Sequence, residues 1–198
     1  MKTALLVVDA QNIYTDPKSE MHCRDAKGTL KRINQLIERY SKANLQIVLV
    51  RHVHKADATD LGRMFDYAGD WDGEFNFREG TPEVDYDPKL IRPKAAVELV
   101  KNRYSAFAGT DLDRRLRDSK VEGVAICGFM TNFCCESTAR DAHDRDYFVD
   151  FVLDATGTPG TDFNEKKVRE VVGELLSAGF CNVMSTRSHL GSRWPQPR

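Results

Sequence analysis

Residues 4–8 form an unbroken apolar run, the mark of a strand buried on both faces. Residues 45–50 repeat it, apart from Gln46. Further strands are expected at 96–100, ending on Lys101, at 121–127, stopped by Gly128, at 147–153 and at 182–186. Between them the apolar positions fall at helical spacing. Leu30, Ile33, Leu36, Ile37 and Tyr40 mark a helix over 28–43. Helices are also expected at 110–117, with Thr110 as N-cap and Asp113 completing an imperfect capping box, at 134–145, and at 165–178, stopped by Gly179. Residues 55–93 carry aromatics and turn formers with no strong period, including Phe65, Trp71, Phe75, Phe77, Pro82 and Pro88. So long an excursion in a small domain is usually a functional loop or lid. The tail from Ser188 is expected to be irregular.

Strands alternate with helices along the whole chain, which predicts one α/β domain over 1–198, a three-layer α/β/α arrangement around a mostly parallel sheet. Ligand sites in such folds lie at the carboxyl ends of the strands. The positions to inspect are therefore Asp9, residues 51–54, Lys101, residues 128–134 and Asp154.

Composition narrows the classes of function. The 198 residues carry 29 Lys and Arg against 30 Asp and Glu, a net charge of -1, so no overall charge draws the chain to nucleic acid or an anionic membrane. No apolar run approaches the roughly 20 residues that span a bilayer. The first apolar stretch ends on the carboxylate of Asp9 and is too short for a signal peptide. Five cysteines, in no paired spacing, argue for a reducing compartment, and a cytoplasmic protein is expected.

Three reactive side chains stand at predicted strand ends: Asp9, Lys101 and Cys134. Cys134 follows the strand at 121–127 through a short turn and would open the next helix, where backbone N–H groups and the helix dipole favour a thiolate. A neighbouring Lys101 would depress its pKa further, and Asp9 would take the thiol proton. The same residues admit a blander assignment, with Cys134 a small buried hydrophobe, Asp9 a cap and Lys101 a surface charge.

Three blocks of sequence add weight to the first assignment. VVDAQNIY at 7–14, VKNRYSAFAGTDLD at 100–113 and GFMTNFCCESTARDAHDRDY at 128–147 resemble, in order, the signature blocks of the isochorismatase-like cysteine hydrolase superfamily, and DAT at 154–156 resembles a weaker one. That superfamily includes nicotinamidases, N-carbamoylsarcosine amidohydrolase, ureidoacrylate and biuret amidohydrolases, and isochorismatases. The resemblance implies a six-stranded sheet, Asp9 as general base, Lys101 as catalytic lysine and Cys134 as nucleophile. It also implies a cis peptide between Phe129 and Met130 and an oxyanion hole from the N–H groups of Met130 and Cys134. Gln11 matches a recurring glutamine and Tyr14 an aromatic lining the pocket. A homodimer or homotetramer acting on a small molecule is implied, with no cofactor.

Other residues invite competing assignments. His52 and His54, with Asp57 or Asp60, have the composition of a metal site. The nicotinamidase metal, however, is held by an aspartate where His52 stands and by later histidines, and no histidine follows before His143. No metal is therefore expected, which argues against nicotinamide as the substrate, and the two histidines are expected to be polar pocket lining or a solvated strand end. Arg103 is a candidate partner for a substrate carboxylate, and Trp71 with Phe75 and Phe77 a candidate lid or subunit contact. Cys135 is expected to pack against the sheet, because adjacent helical residues point about 100° apart. The implied activity is hydrolysis of a C–N bond in a small amide, carbamoyl or ureido compound through a thioester. The rivals are a vinyl ether hydrolase, which would lack the cysteine, and a non-enzymatic binding paralogue. A nucleotide-binding domain is disfavoured because the turn after the first strand has no glycine.

Overall fold

The computed structural model describes residues 1–160 and 164–192. A single six-stranded sheet, all parallel, runs in the order β3-β2-β1-β4-β5-β6. The strands are β1 (Thr3–Val8), β2 (Gln46–His52), β3 (Val97–Lys101), β4 (Gly123–Phe129), β5 (Phe148–Gly157) and β6 (Asn182–Met184). The helices are α1 (Asn12–Thr15), α2 (Ala26–Lys42), α3 (Leu112–Asp118), α4 (Glu136–His143), α5 (Glu165–Ser177) and α6 (Thr186–Gly191). All six residues of β1 are buried, as its continuous apolar run requires. Its side chains alternate between two cores. Leu5 and Val7 join Leu30, Ile33 and Leu36 of α2, while Ala4, Leu6 and Val8 join Leu112, Ala139 and Leu176 on the opposite face.

The strand order reverses direction between β1 and β4, and that switch point puts a crevice beyond their carboxyl ends. Asp9 leaves β1 there and the turn after β4 rises beside it. Val8 pairs with Gly128, whose φ is +126°. A Cβ at Gly128 would collide with the Val8 carbonyl, so only glycine lets the strands approach this closely.

Several boundaries differ from expectation, each for a local reason. Gly128 does not stop β4, which continues to Phe129 because β5 runs on beside it, pairing Thr156 with Gly128 and Gly157 with Phe129. Thr110 is not the residue that precedes α3, which starts after Asp111, but its hydroxyl accepts from the Leu112 N–H at 3.3 Å while donating to the Ala106 carbonyl at 2.6 Å. Asp113 binds Arg117 and the Tyr147 hydroxyl instead of closing a capping box. Cys134 does not open an α-helix. It lies in a π-helical turn, Thr131–Cys135, closed by the Cys135 N–H on the Met130 carbonyl at 3.0 Å, and α4 follows. The polar segment after β6 is not irregular throughout, because Ser185 caps α6 by accepting from the Ser188 N–H at 3.1 Å. Residues 193–198, the rest of the expected irregular tail, lie outside the described residues.

The excursion between β2 and β3 is tied down at three places. His54 bridges to Arg78, Gln11 bridges to Tyr86, and Pro82–Val84 form one 3₁₀ turn. Phe77, Val84, Tyr86 and Leu90 from this segment enter the core beside α2. These anchors hold its aromatic stretch over the crevice.

Candidate active site

Asp9 follows β1 with a φ of +49°, a left-handed conformation that aspartate tolerates better than most residues, and its N–H is held by the Val50 carbonyl at 3.0 Å. Lys101 is the last residue of β3, paired in register with His52. Its side chain reaches past β2, and Nζ lies 2.8 Å from Asp9 Oδ2. Both side chains are fully buried. Nζ also donates to the Arg103 carbonyl at 3.0 Å and to Cys134 Sγ at 3.2 Å. The three ammonium protons thus have three acceptors. A carboxylate oxygen of Asp9, Sγ of Cys134 and a ring nitrogen of His52 all lie within 4.8 Å of one another.

The electrostatics follow from burial and these contacts. Burial weakens the ammonium of Lys101, but Asp9 and Cys134 outweigh it and hold the pKa above its ordinary value. Burial also raises the Asp9 carboxyl, with Lys101 opposing. The Cys134 thiol is pushed up to about 12, by burial first and by the Asp9 charge, against the pull of Lys101. This corrects the expectation of a depressed thiol pKa. The π turn buries the sulfur, at 2% exposure, and desolvation outweighs both the lysine and the turn dipole. The 2.8 Å contact with Lys101 favours a carboxylate–ammonium pair, beside a neutral thiol.

Cys134 opens onto a cavity of about 280 Å³. Tyr14, His52, Phe77 and Met130 line it with Cys134, and Met21, Met64, Phe65, Tyr104 and Phe133 complete an apolar wall interrupted by Asn76. Tyr14 stacks on Phe129 with centroids 5.4 Å apart, and Phe77 stacks on His52 at 4.3 Å. The peptide between Phe129 and Met130 is cis. The arrangement supplies a nucleophile, a base within reach of it and a fixed cation beside both, on the floor of a pocket sized for a small molecule.

The isochorismatase domain model matches residues 3–188. The chain belongs to the isochorismatase family. Nicotinamidase 3 of Arabidopsis thaliana is 33% identical to it, over 96% of this chain and 89% of the relative. A ureidoacrylate amidohydrolase of Agrobacterium fabrum is 27% identical, over 93% of this chain and 90% of that one. Among solved structures, a cysteine hydrolase from Pseudomonas syringae superposes with a TM-score of 0.85 at 28% identity, covering 96% of this chain and 91% of the other.

Within this family frame, Asp9, Lys101, Cys134, Met130 and Tyr14 come together. Three residues expected to bind substrate do not face the cavity. Gln11 is a buried strut: its amide donates to the His52 and Val84 carbonyls and its oxygen accepts from the His52 N–H, at 2.8 to 3.0 Å. Arg103 donates from Nη1 to the carbonyls of Asp60 and Asn102. Trp71 is 40% exposed, with its indole N–H on the Glu74 carbonyl at 2.7 Å. The cavity residues that spacing could not find are Met21, Met64, Asn76, Tyr104 and Phe133, which come from segments without periodicity.

The family includes metal-binding members, and Asp9, His52 and Cys134 form a group of ligand atoms. They do not fit a resident metal. The Lys101 ammonium already occupies the cation position between Asp9 and Cys134, and a divalent ion there would face a fixed positive charge. The Nε2 atoms of His52 and His54 lie 3.0 Å apart, at hydrogen-bond distance of each other.

Proposed function

We propose that this chain is a cysteine amidohydrolase that cleaves the C–N bond of a small amide, carbamoyl or ureido compound through a thioester. The observation that carries the proposal is the placement of Lys101 Nζ, 2.8 Å from Asp9 and 3.2 Å from Cys134 Sγ, beneath the cavity. The relatives named for amide chemistry, a nicotinamidase and a ureidoacrylate amidohydrolase, support the substrate class.

In the proposed reaction Asp9 takes the Cys134 proton as sulfur attacks the carbonyl carbon. The negative charge moves from the carboxylate, by way of sulfur, to the carbonyl oxygen, and Lys101 neighbours the first two positions. A thiol held near 12 does not accumulate as thiolate; proton loss accompanies attack. The tetrahedral oxyanion is assigned to the backbone N–H groups of Met130 and Cys134. The proton then passes from Asp9 to the leaving nitrogen, and ammonia or an amine departs. Water, deprotonated by Asp9, hydrolyses the thioester.

An ammonia-release screen over nicotinamide, ureidoacrylate, N-carbamoylsarcosine and other primary amides and ureides tests this, with intact-mass detection of an acyl adduct on the wild type. Turnover and adduct should both vanish in Cys134→Ala. Hydrolysis of isochorismate that survives Cys134→Ala, with no ammonia or amine from any amide, would overturn the proposal.

A further inference from the structure

His52 is 1% exposed and lines the cavity beside Cys134, yet the proposed cycle leaves it without a task. Its Nδ1 is buried and has no hydrogen-bond partner among the described residues. A buried polar atom that stays unmet at a cavity wall is costly unless a ligand meets it. What that atom can do depends on whether it carries a proton, and a chain of contacts decides this.

Asp60 begins the chain. Burial pushes its carboxyl up, but the Asn102 amide, the Lys55 N–H and His54 outweigh it, and the group stays an anion with its pKa below the ordinary value. One of its oxygens lies 3.4 Å from His54 Nδ1. A carboxylate at that distance favours an N–H on Nδ1 over a lone pair facing it. Neutral His54 then presents a bare Nε2. His52 Nε2 lies 3.0 Å away and must supply the proton of that hydrogen bond. Burial, with Lys101 nearby, holds His52 neutral by lowering its pKa well below the usual value. A neutral imidazole protonated at Nε2 is bare at Nδ1.

We infer that His52 Nδ1 is a hydrogen-bond acceptor for an N–H of the substrate, set in that tautomer by the Asp60–His54–His52 chain. The inference rests on the amidohydrolase reading and deepens it: the site selects amides and ureides that keep an N–H beside the scissile carbonyl, and disfavours esters and fully alkylated amides. His54 and Asp60 are positioning residues that act through His52.

Two measurements test it without turnover. Long-range ¹H–¹⁵N spectra of the wild type should show His52 protonated at Nε2 and bare at Nδ1, with His54 the reverse. A proton on His52 Nδ1 would overturn the inference. Asp60→Ala, which removes the carboxylate, should abolish this fixed pattern. The second measurement compares alkylation of Cys134 by 2-chloroacetamide and by N,N-dimethyl-2-chloroacetamide, where sulfur displaces chloride in both cases. The ratio of rates, normalised to glutathione, should fall about tenfold in His52→Phe, which keeps the ring stacked on Phe77 without its nitrogens. His52→Asn, with an acceptor oxygen near the Nδ1 position, should keep the ratio. An unchanged ratio in His52→Phe would also overturn the inference. If that variant does not fold, the wild-type spectrum decides alone. Alkylation cleaves no amide bond, so a chain that shows this preference but releases no ammonia would remove the hydrolase reading and leave the hydrogen bond standing.

Discussion

Two buried acid–base clusters lie in this molecule, and they are built to opposite ends. One is Asp9, Lys101 and Cys134 with His52 beside them. The other joins Asp150 of β5, Tyr40 of α2 and His189 of α6. In the second, Asp150 accepts from Asn182 at 3.0 Å and meets His189 Nδ1 at 3.0 Å, while His189 Nε2 meets the Tyr40 hydroxyl at 3.1 Å. The Tyr40 and His189 rings stack within 3° of parallel. That cluster holds no thiol, and none of its members lines the cavity. The first contains a thiol, opens on a cavity and leaves His52 Nδ1 unmet. Buried charge alone therefore does not mark a site. A buried cluster whose polar atoms all meet protein partners is a clamp, here fixing α6 to α2 and β5. One that keeps an atom for a visitor is a place for chemistry.

The largest effect that would break this contrast belongs to Asp9. Asp9→Asn removes the proposed base and should cut kcat by about 10²–10⁴. It also leaves the buried Lys101 ammonium without its counterion, so the melting temperature should fall as well, by an amount matching about 3–5 kcal/mol. Rates must therefore be taken per folded molecule. The pH profile of the wild type gives the sign independently. Activity should fall as acid protonates Asp9, on a limb lying above the ordinary 3.8 because its pKa is raised. Deprotonation of Lys101 should cost nothing below about pH 10, since its pKa is raised above 10.5. An acid limb at or below 3.8, or Asp9→Asn at wild-type kcat, would remove Asp9 from the mechanism.

His189→Ala should do the converse. It strips the Asp150 carboxylate of its imidazole partner and should lower stability by about 3 kcal/mol, roughly 6–12 °C in Tm for a chain of this size. Specific activity of the folded fraction should stay within about twofold, because the cluster touches neither Cys134 nor the cavity. A loss of kcat without a loss of Tm would show that the two clusters are coupled.

The same contrast explains what could be read before the fold was known. Asp9, Lys101 and Cys134 were legible because each ends or follows a strand expected from the sequence, β1, β3 and β4 respectively. The helix α6 was not, because Thr186–Gly191 carries no apolar period and depends on a Ser185 cap. The Cys134 pKa was misjudged for a related reason: spacing locates a residue near a helix start but does not say how far the turn buries it. What the Gln11 and Arg103 side chains bind was not legible, because their partners come from segments 40 or more residues away in sequence for the former and from the Asp60 loop for the latter. Tautomers, and with them the task assigned to His52, depend on a chain of three side chains that no local pattern records.

The smallest expected effect concerns the excursion that closes the cavity. Its aromatics are not equivalent. Phe77 is buried, stacks on His52 and lines the cavity, while Trp71 is tied to its own loop through Glu74. Trp71→Ala removes one hydrogen bond within that loop and no cavity wall. Its cost should stay below about 1 kcal/mol in stability and about twofold in kcat/KM. Phe77→Ala removes a wall, the His52 stacking partner and a core side chain together, and should raise KM and lower Tm in the same variant. Steady-state kinetics of the two variants beside thermal denaturation separate the cases. A Trp71→Ala that raised KM tenfold at unchanged Tm would show that the loop folds down onto bound substrate, and Trp71 would return to the binding site.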